Sequence, residues 1–231
     1  MEPNEYAALP GKQTAAGKKK KKKDDPFEPK GLAGSIYVML HDMVSILAVI
    51  VVSFVFLARL VGVSGSSMYP TLVGAQDYSD AKGDYLILRS NFIRSTYEQG
   101  DIVVACVPTF QDGKPIVKRV VATGGQTVEF RAGEDGFLHV WVDGQLQSED
   151  HINGPMEIRW GVGDGYTDTV PEGCYFLMGD NRNNSTDSRD PDVGMVDGRY
   201  IVGKAFWLIF PGQDIRQGNT RDWSRVGSIY D

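Results

Sequence analysis

Hydrophobic and polar positions divide the chain into three textures. Residues 1–30 show almost no apolar periodicity, residues 43–58 (MVSILAVIVVSFVFLA) run without a charge, and beyond Leu60 short Val/Ile/Tyr/Phe-rich runs alternate with Gly, Asp, Asn and Pro. The first texture is rich in Lys, Pro, Gly and Ala. It cannot bury enough apolar surface to offset chain entropy, so a disordered basic tail is expected over residues 1–33. The second is slightly shorter than the ~20 residues a bilayer core requires. The preceding GSIYVML is also apolar, so a helix starting near Gly34 would span if His41 and Asp42 sit at the interface and Arg59 snorkels. A retained single-pass anchor over residues 34–60 is preferred to a buried core helix or a cleaved signal peptide. A lysine cluster flanks it on one side, and no second apolar span follows.

The third texture predicts a mainly β domain over residues 61–231. YLILRS, DIVVACV, PIVKRVVA, FLHVWVDG, CYFLMGD and YIVGKAFWLIF have strand length, are rich in β-branched and aromatic residues, and are bounded by turn formers. Such spacing indicates antiparallel pairing. Residues 126–170 carry VDG and GDG turn signals and two hairpins, and read as a β insertion beside the main sheet. No internal repeat is visible.

Charge sharpens this picture. Residues 1–30 hold eight Lys against five acids, a net of +3, and with −6 overall and residues 31–59 balanced, residues 60–231 carry −9. An acidic main domain argues against nucleic acid as a partner. Lying just before the apolar span, the lysine run reads as a topogenic cluster rather than a nucleic-acid signal. That places the N-terminus in the cytoplasm and the domain on the extracytoplasmic face of the cell membrane. Cys106 and Cys174 are too few for a disulfide scaffold and lack metal-ligand spacing with the three His; by default they are small buried residues.

Candidate chemistry lies in three segments. In SGSSMYPTL, residues 64–72, Ser67 is an ordinary turn serine unless a base stands nearby to take its proton. In IVKRVVA, residues 116–122, a strand places Lys118 on one face with Ile116 and Val120, and Val117, Arg119 and Val121 on the other. Both faces are mostly apolar, which predicts burial, and burial lowers a lysine pKa toward the range of a working base. A surface-strand lysine is the plain alternative. In MGDNRNNSTDSRD, residues 178–190, hydroxyls, carboxylates and guanidiniums are concentrated as a supporting shell would need, although a solvated turn has the same composition.

Together these segments resemble the boxes of bacterial type I signal peptidases, the Ser/Lys proteases of the secretory pathway. The resemblance rests on GSSMYPTL, GDIVV (residues 100–104), KRVVATGG, GDNRNNSTDSR and VGKAFWLIFP (residues 202–211), in the family's order and spacing from the anchor to Pro211. It implies a metal- and cofactor-free serine endopeptidase whose partners are the signal peptides of exported preproteins and membrane lipid. It implies that Ser67 is the nucleophile, with its backbone N–H in the oxyanion hole, and that Lys118 is the general base. Ser185 resembles the serine that orients the lysine, and Asp187 with Arg189 the supporting ion pair. Met68 is expected against the Lys118 stem, and Val61, Val63, Leu72, Val104 and Val117 in shallow apolar pockets. Gly65 stands where some Gram-negative members have a serine that supplies a second oxyanion donor, so that donor stays open.

A serine and a lysine suffice for amide hydrolysis if the lysine can take the serine proton and later protonate the leaving amine. No histidine is placed to replace it, since His41 lies in the anchor region and His139 and His151 in the insertion. From Arg59 to Ser67 the extended chain reaches only about 27 Å, so the site is expected close to the membrane surface. A self-cleaving repressor of related chemistry would be soluble and carry a DNA-binding segment where this chain has its apolar span. A membrane-tethered binding module would bind without turnover.

Overall fold

The computed structural model describes residues 31–56, 58–75, 83–91, 96–157 and 162–230. The tail expected over residues 1–33 lies outside these up to residue 30. Helix α1 spans Gly31–Phe56, 26 residues, or about 39 Å at 1.5 Å per residue. Its stretch Gly31–Phe54 is long and apolar enough to cross a membrane, and Leu40, Val44, Ile46 and Phe54 are exposed along it. Residues 31–33, expected in the tail before Gly34, are part of this helix. At the other end residues 58–60, expected within the anchor, are strand. Ala58–Gly62 (β1) pairs antiparallel with Tyr85–Ser90 (β2), from Ala58 opposite Arg89 to Gly62 opposite Tyr85, so inter-strand hydrogen bonds replace helical ones there.

The remaining strands are Ile102–Cys106 (β3), Pro115–Thr123 (β4), Thr127–Ala132 (β5), Leu138–Val142 (β6), Gln145–Leu146 (β7), Thr167–Thr169 (β8), Cys174–Met178 (β9), Val196–Asp197 (β10), Ile201–Phe210 (β11), Gln213–Asp214 (β12), Thr220–Arg221 (β13) and Gly227–Ser228 (β14). The main sheet runs β1-β2-β11-β3-β4-β9-β10, with β14 against β11. Its described pairings are antiparallel, so the expected mainly β antiparallel class is what the chain forms. The segment read as an insertion makes its own sheet, β7-β6-β5-β8, with the VDG signal closing the β6–β7 hairpin through left-handed Asp143 and Gly144.

Strand alternation builds a core on both faces of the main sheet. On β3, Ile102 and Val104 join Val63, Met68, Leu72, Leu86, Leu88, Ala205 and Leu208, whereas Val103 and Ala105 join Val120, Leu177 and Ile201 on the opposite face. A third cluster welds the second sheet to the first, with Phe130, Val140 and Val142 against Ala122, Phe176 and Met178. Burying each such Leu, Ile or Phe contributes about 1.5–3 kcal/mol. The segment from Val63 to Ala75 leaves this frame and returns to it, because Ala75 N–H donates to Val63 O at 3.0 Å and Gly65 N–H to Ala75 O at 2.9 Å. The closed loop between them carries Ser67.

Candidate active site

Ser67 opens a tight turn over residues 67–71 and is half-buried in the lining of a cleft of about 290 Å³. One polar residue holds the turn's backbone twice: Asn181 N–H donates to Ser67 O at 2.9 Å, and Asn181 Nδ2 donates to Ser66 O at 3.1 Å. Beneath it Met68 and Leu72 are buried in the core cluster, and Leu72 N–H donates to Met68 O at 2.8 Å. The turn is thus fixed from below by apolar packing and from the side by an amide.

Lys118 sits in the middle of β4, opposite Val103 of β3, and is only 4% exposed. Its Nζ donates to Ser67 Oγ at 2.8 Å and to Val117 O at 3.1 Å. Burial pushes its pKa down from 10.5 to about 8; the Asp187 carboxylate opposes the shift and the Arg189 guanidinium adds to it. At that value roughly a tenth of the molecules hold a neutral amine at pH 7, against fewer than one in a thousand for an ordinary lysine.

The polar loop supplies the surroundings. Asp187 is buried and bound by Arg189 through a two-pronged pair, Nε to Oδ1 at 2.8 Å and Nη2 to Oδ2 at 2.9 Å, while Gly179 N–H donates to Oδ2 at 2.9 Å. Burial works to raise the Asp187 pKa, but the hydrogen bonds and charge of Arg189 prevail and hold it below the usual carboxylate range. Ser185 Oγ is buried and makes no hydrogen bond of good geometry, although it lies near enough to Asp187 to favour the ionised carboxylate. The contact from Ser185 to Lys118 implied by the resemblance is not formed; the lysine uses Val117 O instead. Gly179 admits no side chain, since a Cβ there would meet Ser185 Oγ at 2.3 Å and Ser67 O at 2.4 Å.

The expected pocket residues separate into two groups. Val61 and Val117 line the cleft with Ser67 and Lys118, whereas Val63, Leu72 and Val104 are buried beneath it at 4%, 0% and 1% exposure. Those three shape the floor without offering surface. Ala75, Phe110, Ile116 and Thr186 also line the cleft. Gly65 lies at a left-handed φ of 73°, so a serine in this position would be strained.

Sequence reasoning missed a second polar centre. Asp180, fully buried, accepts from Arg119 Nε at 2.9 Å and Nη2 at 2.7 Å, and from Thr71 Oγ1 at 2.5 Å. Asn184 Nδ2 donates to Ser66 Oγ at 2.7 Å. All lie inside the motif strings already singled out, but composition alone does not rank one Asx above another. Cys106 and Cys174 are free thiols, half-buried rather than buried.

Chemically, the cleft pairs a hydroxyl with an amine poised to take its proton, and Ser67 N–H donates to no acceptor among the described residues. Residues 36–210 match the sequence family described as signal peptidase, peptidase S26. Signal peptidase I of Bacillus amyloliquefaciens is 35% identical over 176 residues, covering 74% of this chain and 82% of that protein. Signal peptidase I T of Bacillus subtilis strain 168 is 33% identical over 211 residues, covering 89% and 97%. A solved signal peptidase I from Enterococcus faecalis is 28% identical with a TM-score of 0.38, covering 47% of this chain and 96% of that one. With residues 36–210 matched to the family and a relative 35% identical over most of the chain, and with a serine and a buried lysine in contact at its cleft, the chain belongs to the signal peptidase family, peptidase S26.

Proposed function

We propose that this chain cleaves N-terminal signal peptides from exported preproteins, with Ser67 as nucleophile and Lys118 as general base. The observation that carries the reading is the 2.8 Å contact between Lys118 Nζ and Ser67 Oγ, made by a lysine whose pKa is lowered to about 8. Neutral Lys118 accepts the Ser67 proton as Oγ adds to the scissile carbonyl carbon, and Ser67 N–H stabilises the oxyanion. The resulting ammonium protonates the departing amine as the C–N bond breaks. Water then adds to the acyl-enzyme, losing a proton to Lys118, and the return of that proton to Oγ as the C–Oγ bond breaks releases the new carboxylic acid, which ionises in solvent. Asp187 and Arg189 act as a neutral pair that shapes the lysine's surroundings without quenching its basicity.

The same reading gives the topology: α1 crosses the cell membrane, the lysine cluster stays in the cytoplasm, and the β domain works on the extracytoplasmic face. Small side chains next to the scissile bond suit a cleft walled by Val61, Val117, Ile116 and Ala75. The test is a synthetic peptide spanning a signal-peptide cleavage site. Phe or Trp at the residue before the cut, or two positions earlier, is expected to lower kcat/KM by at least about tenfold, and the same change at the residue between them by less than about threefold. Equal sensitivity at all three positions would overturn the pocket assignment. Turnover by Ser67→Ala would overturn the nucleophile.

A further inference from the structure

Residues 211–230 lie beyond the segment that matches the family, yet they return to the Ser67 turn. Asp84, fully buried, clamps the stem of that turn: Val63 N–H donates to its carbonyl at 2.8 Å, its own N–H donates to Val73 O at 2.8 Å, and Val73 N–H donates to Oδ2 at 2.8 Å. Two further donors meet the carboxylate. Gly212 N–H reaches Oδ1 at 2.6 Å, and Arg225 grips both oxygens, Nη1 to Oδ1 at 3.0 Å and Nη2 to Oδ2 at 2.7 Å. The same Nη2 donates to Thr71 O at 3.0 Å. Thr71 is the residue whose hydroxyl holds Asp180, next to the Asn181 amide that holds Ser67 O.

From these contacts we infer that Arg225 is a positioning residue for the Ser67 turn, acting through Asp84 and Thr71. The inference rests on the function proposed above. One guanidinium ties the two ends of a rigid link, the stem at Asp84 and the turn at Thr71, in a geometry that a fork of donors satisfies and a single ammonium does not. Arg225 is itself located from both sides. Trp223 packs edge-on against Phe210 with ring centroids 5.0 Å apart, β14 pairs with β11, and Tyr230 accepts from Ile102 N–H and donates to Ala205 O, both at 2.8 Å. Between this segment and the turn lies a cavity of about 560 Å³, bordered by Thr71, Arg119, His151, Leu208, Arg225 and Tyr230. Thr71 is therefore supported on that side by the guanidinium rather than by packed side chains, and loss of Arg225 leaves the turn room to shift. A displacement of about 1 Å at a reacting group costs up to about a hundredfold in rate.

The test uses the full chain in detergent and the cleavage-site peptide, with wild type, Ser67→Ala, Arg225→Ala and Arg225→Lys compared below their melting temperatures. Arg225→Ala is expected to lower kcat by roughly tenfold to a hundredfold with KM within about twofold, and Arg225→Lys by roughly threefold to tenfold. The cavity beside the truncated side chain admits a free guanidinium ion. Millimolar guanidinium is expected to recover part of the lost kcat in Arg225→Ala and to leave Arg225→Lys and wild type unchanged. A purely structural role would lower the melting temperature and leave the kcat of folded enzyme intact, and that result overturns the inference. Should Arg225→Ala fail to fold, Arg225→Lys decides, because it keeps a cation against Asp84; folded Arg225→Lys with wild-type kcat is likewise contradictory. Wild type without Ser67-dependent turnover would remove the underlying reading and this inference together, whereas active wild type beside an unaffected Arg225 variant removes this inference alone.

Discussion

At the scale of single residues, the site depends on what neighbours leave room for. Ser67 keeps its place because Gly179 passes directly beneath its carbonyl, and a methyl at Gly179 would press on Ser67 O and on Ser185 Oγ at once. The Ser67 carbonyl cannot yield without breaking its bond from Asn181 N–H. Gly179→Ala is therefore expected to lower kcat/KM by at least about tenfold, beyond a stability loss of about 1–3 kcal/mol from overpacking. Peptide turnover paired with thermal melting checks this; a folded variant of wild-type activity would mean that the turn is softer than its contacts imply. The burial of Lys118 was signalled by a strand apolar on both faces, but a surface lysine fits that strand too, and only the resemblance singled it out as a base. The division of Val61 and Val117 from Val63, Leu72 and Val104 was not, since a residue that walls a pocket and one that underlies it follow the same alternation. Only the packing of β1, β3 and the Ser67 turn decides which face meets solvent.

At the scale of elements, long strands announced themselves and short ones did not. β2, β3, β4, β6, β9 and β11 coincide with the Val/Ile/aromatic runs, whose own composition favours the extended chain. The two-residue strands β7, β10, β12, β13 and β14 exist because tertiary contacts bring them beside a partner, and two residues carry no periodicity to read. The handover from α1 to β1 was hidden for a similar reason: residues 58–60 have no helix breaker, and β2 captures them. In the polar loop, the Asp187–Arg189 pair was anticipated, whereas the Asp180–Arg119 pair required knowing that β4 and β9 are neighbours. Removing one member of the buried Asp187–Arg189 pair leaves an uncompensated charge, so Asp187→Ala and Arg189→Ala are each expected to cost about 3–5 kcal/mol of stability. The double variant is expected to cost less than their sum by about 1 kcal/mol or more in denaturant titrations. Additive losses would mean that the two side chains act independently.

At the scale of the whole molecule, charge and hydropathy specify a division of labour: a lysine-rich start, an apolar span and an acidic β domain. The helix Gly31–Phe54 fits a bilayer core of about 30 Å with some tilt, although the uncharged run alone is short, because the turns before His41 are recruited into it. Under the proposed orientation, protease added to intact cells stripped of their wall is expected to digest the β domain and to spare an N-terminal tag. Protection of the β domain with loss of the tag would reverse the proposed orientation.

The central claim is that a buried, uncharged Lys118 takes the proton from Ser67, and the pH dependence of kcat/KM tests it most directly. Because the base works only in its neutral form, activity is present above the lysine pKa and is lost as pH falls through it. For wild type, the logarithm of the rate is expected to climb with unit slope and level off at an apparent pKa of about 8, well below the 10.5 of an ordinary lysine. Lys118→Arg, whose guanidinium keeps its proton throughout this range, is expected to show no limb because it shows no turnover. An inflection at 10 or above, or a Lys118→Arg enzyme that still cleaves with the same limb, would assign the proton transfer to a different group.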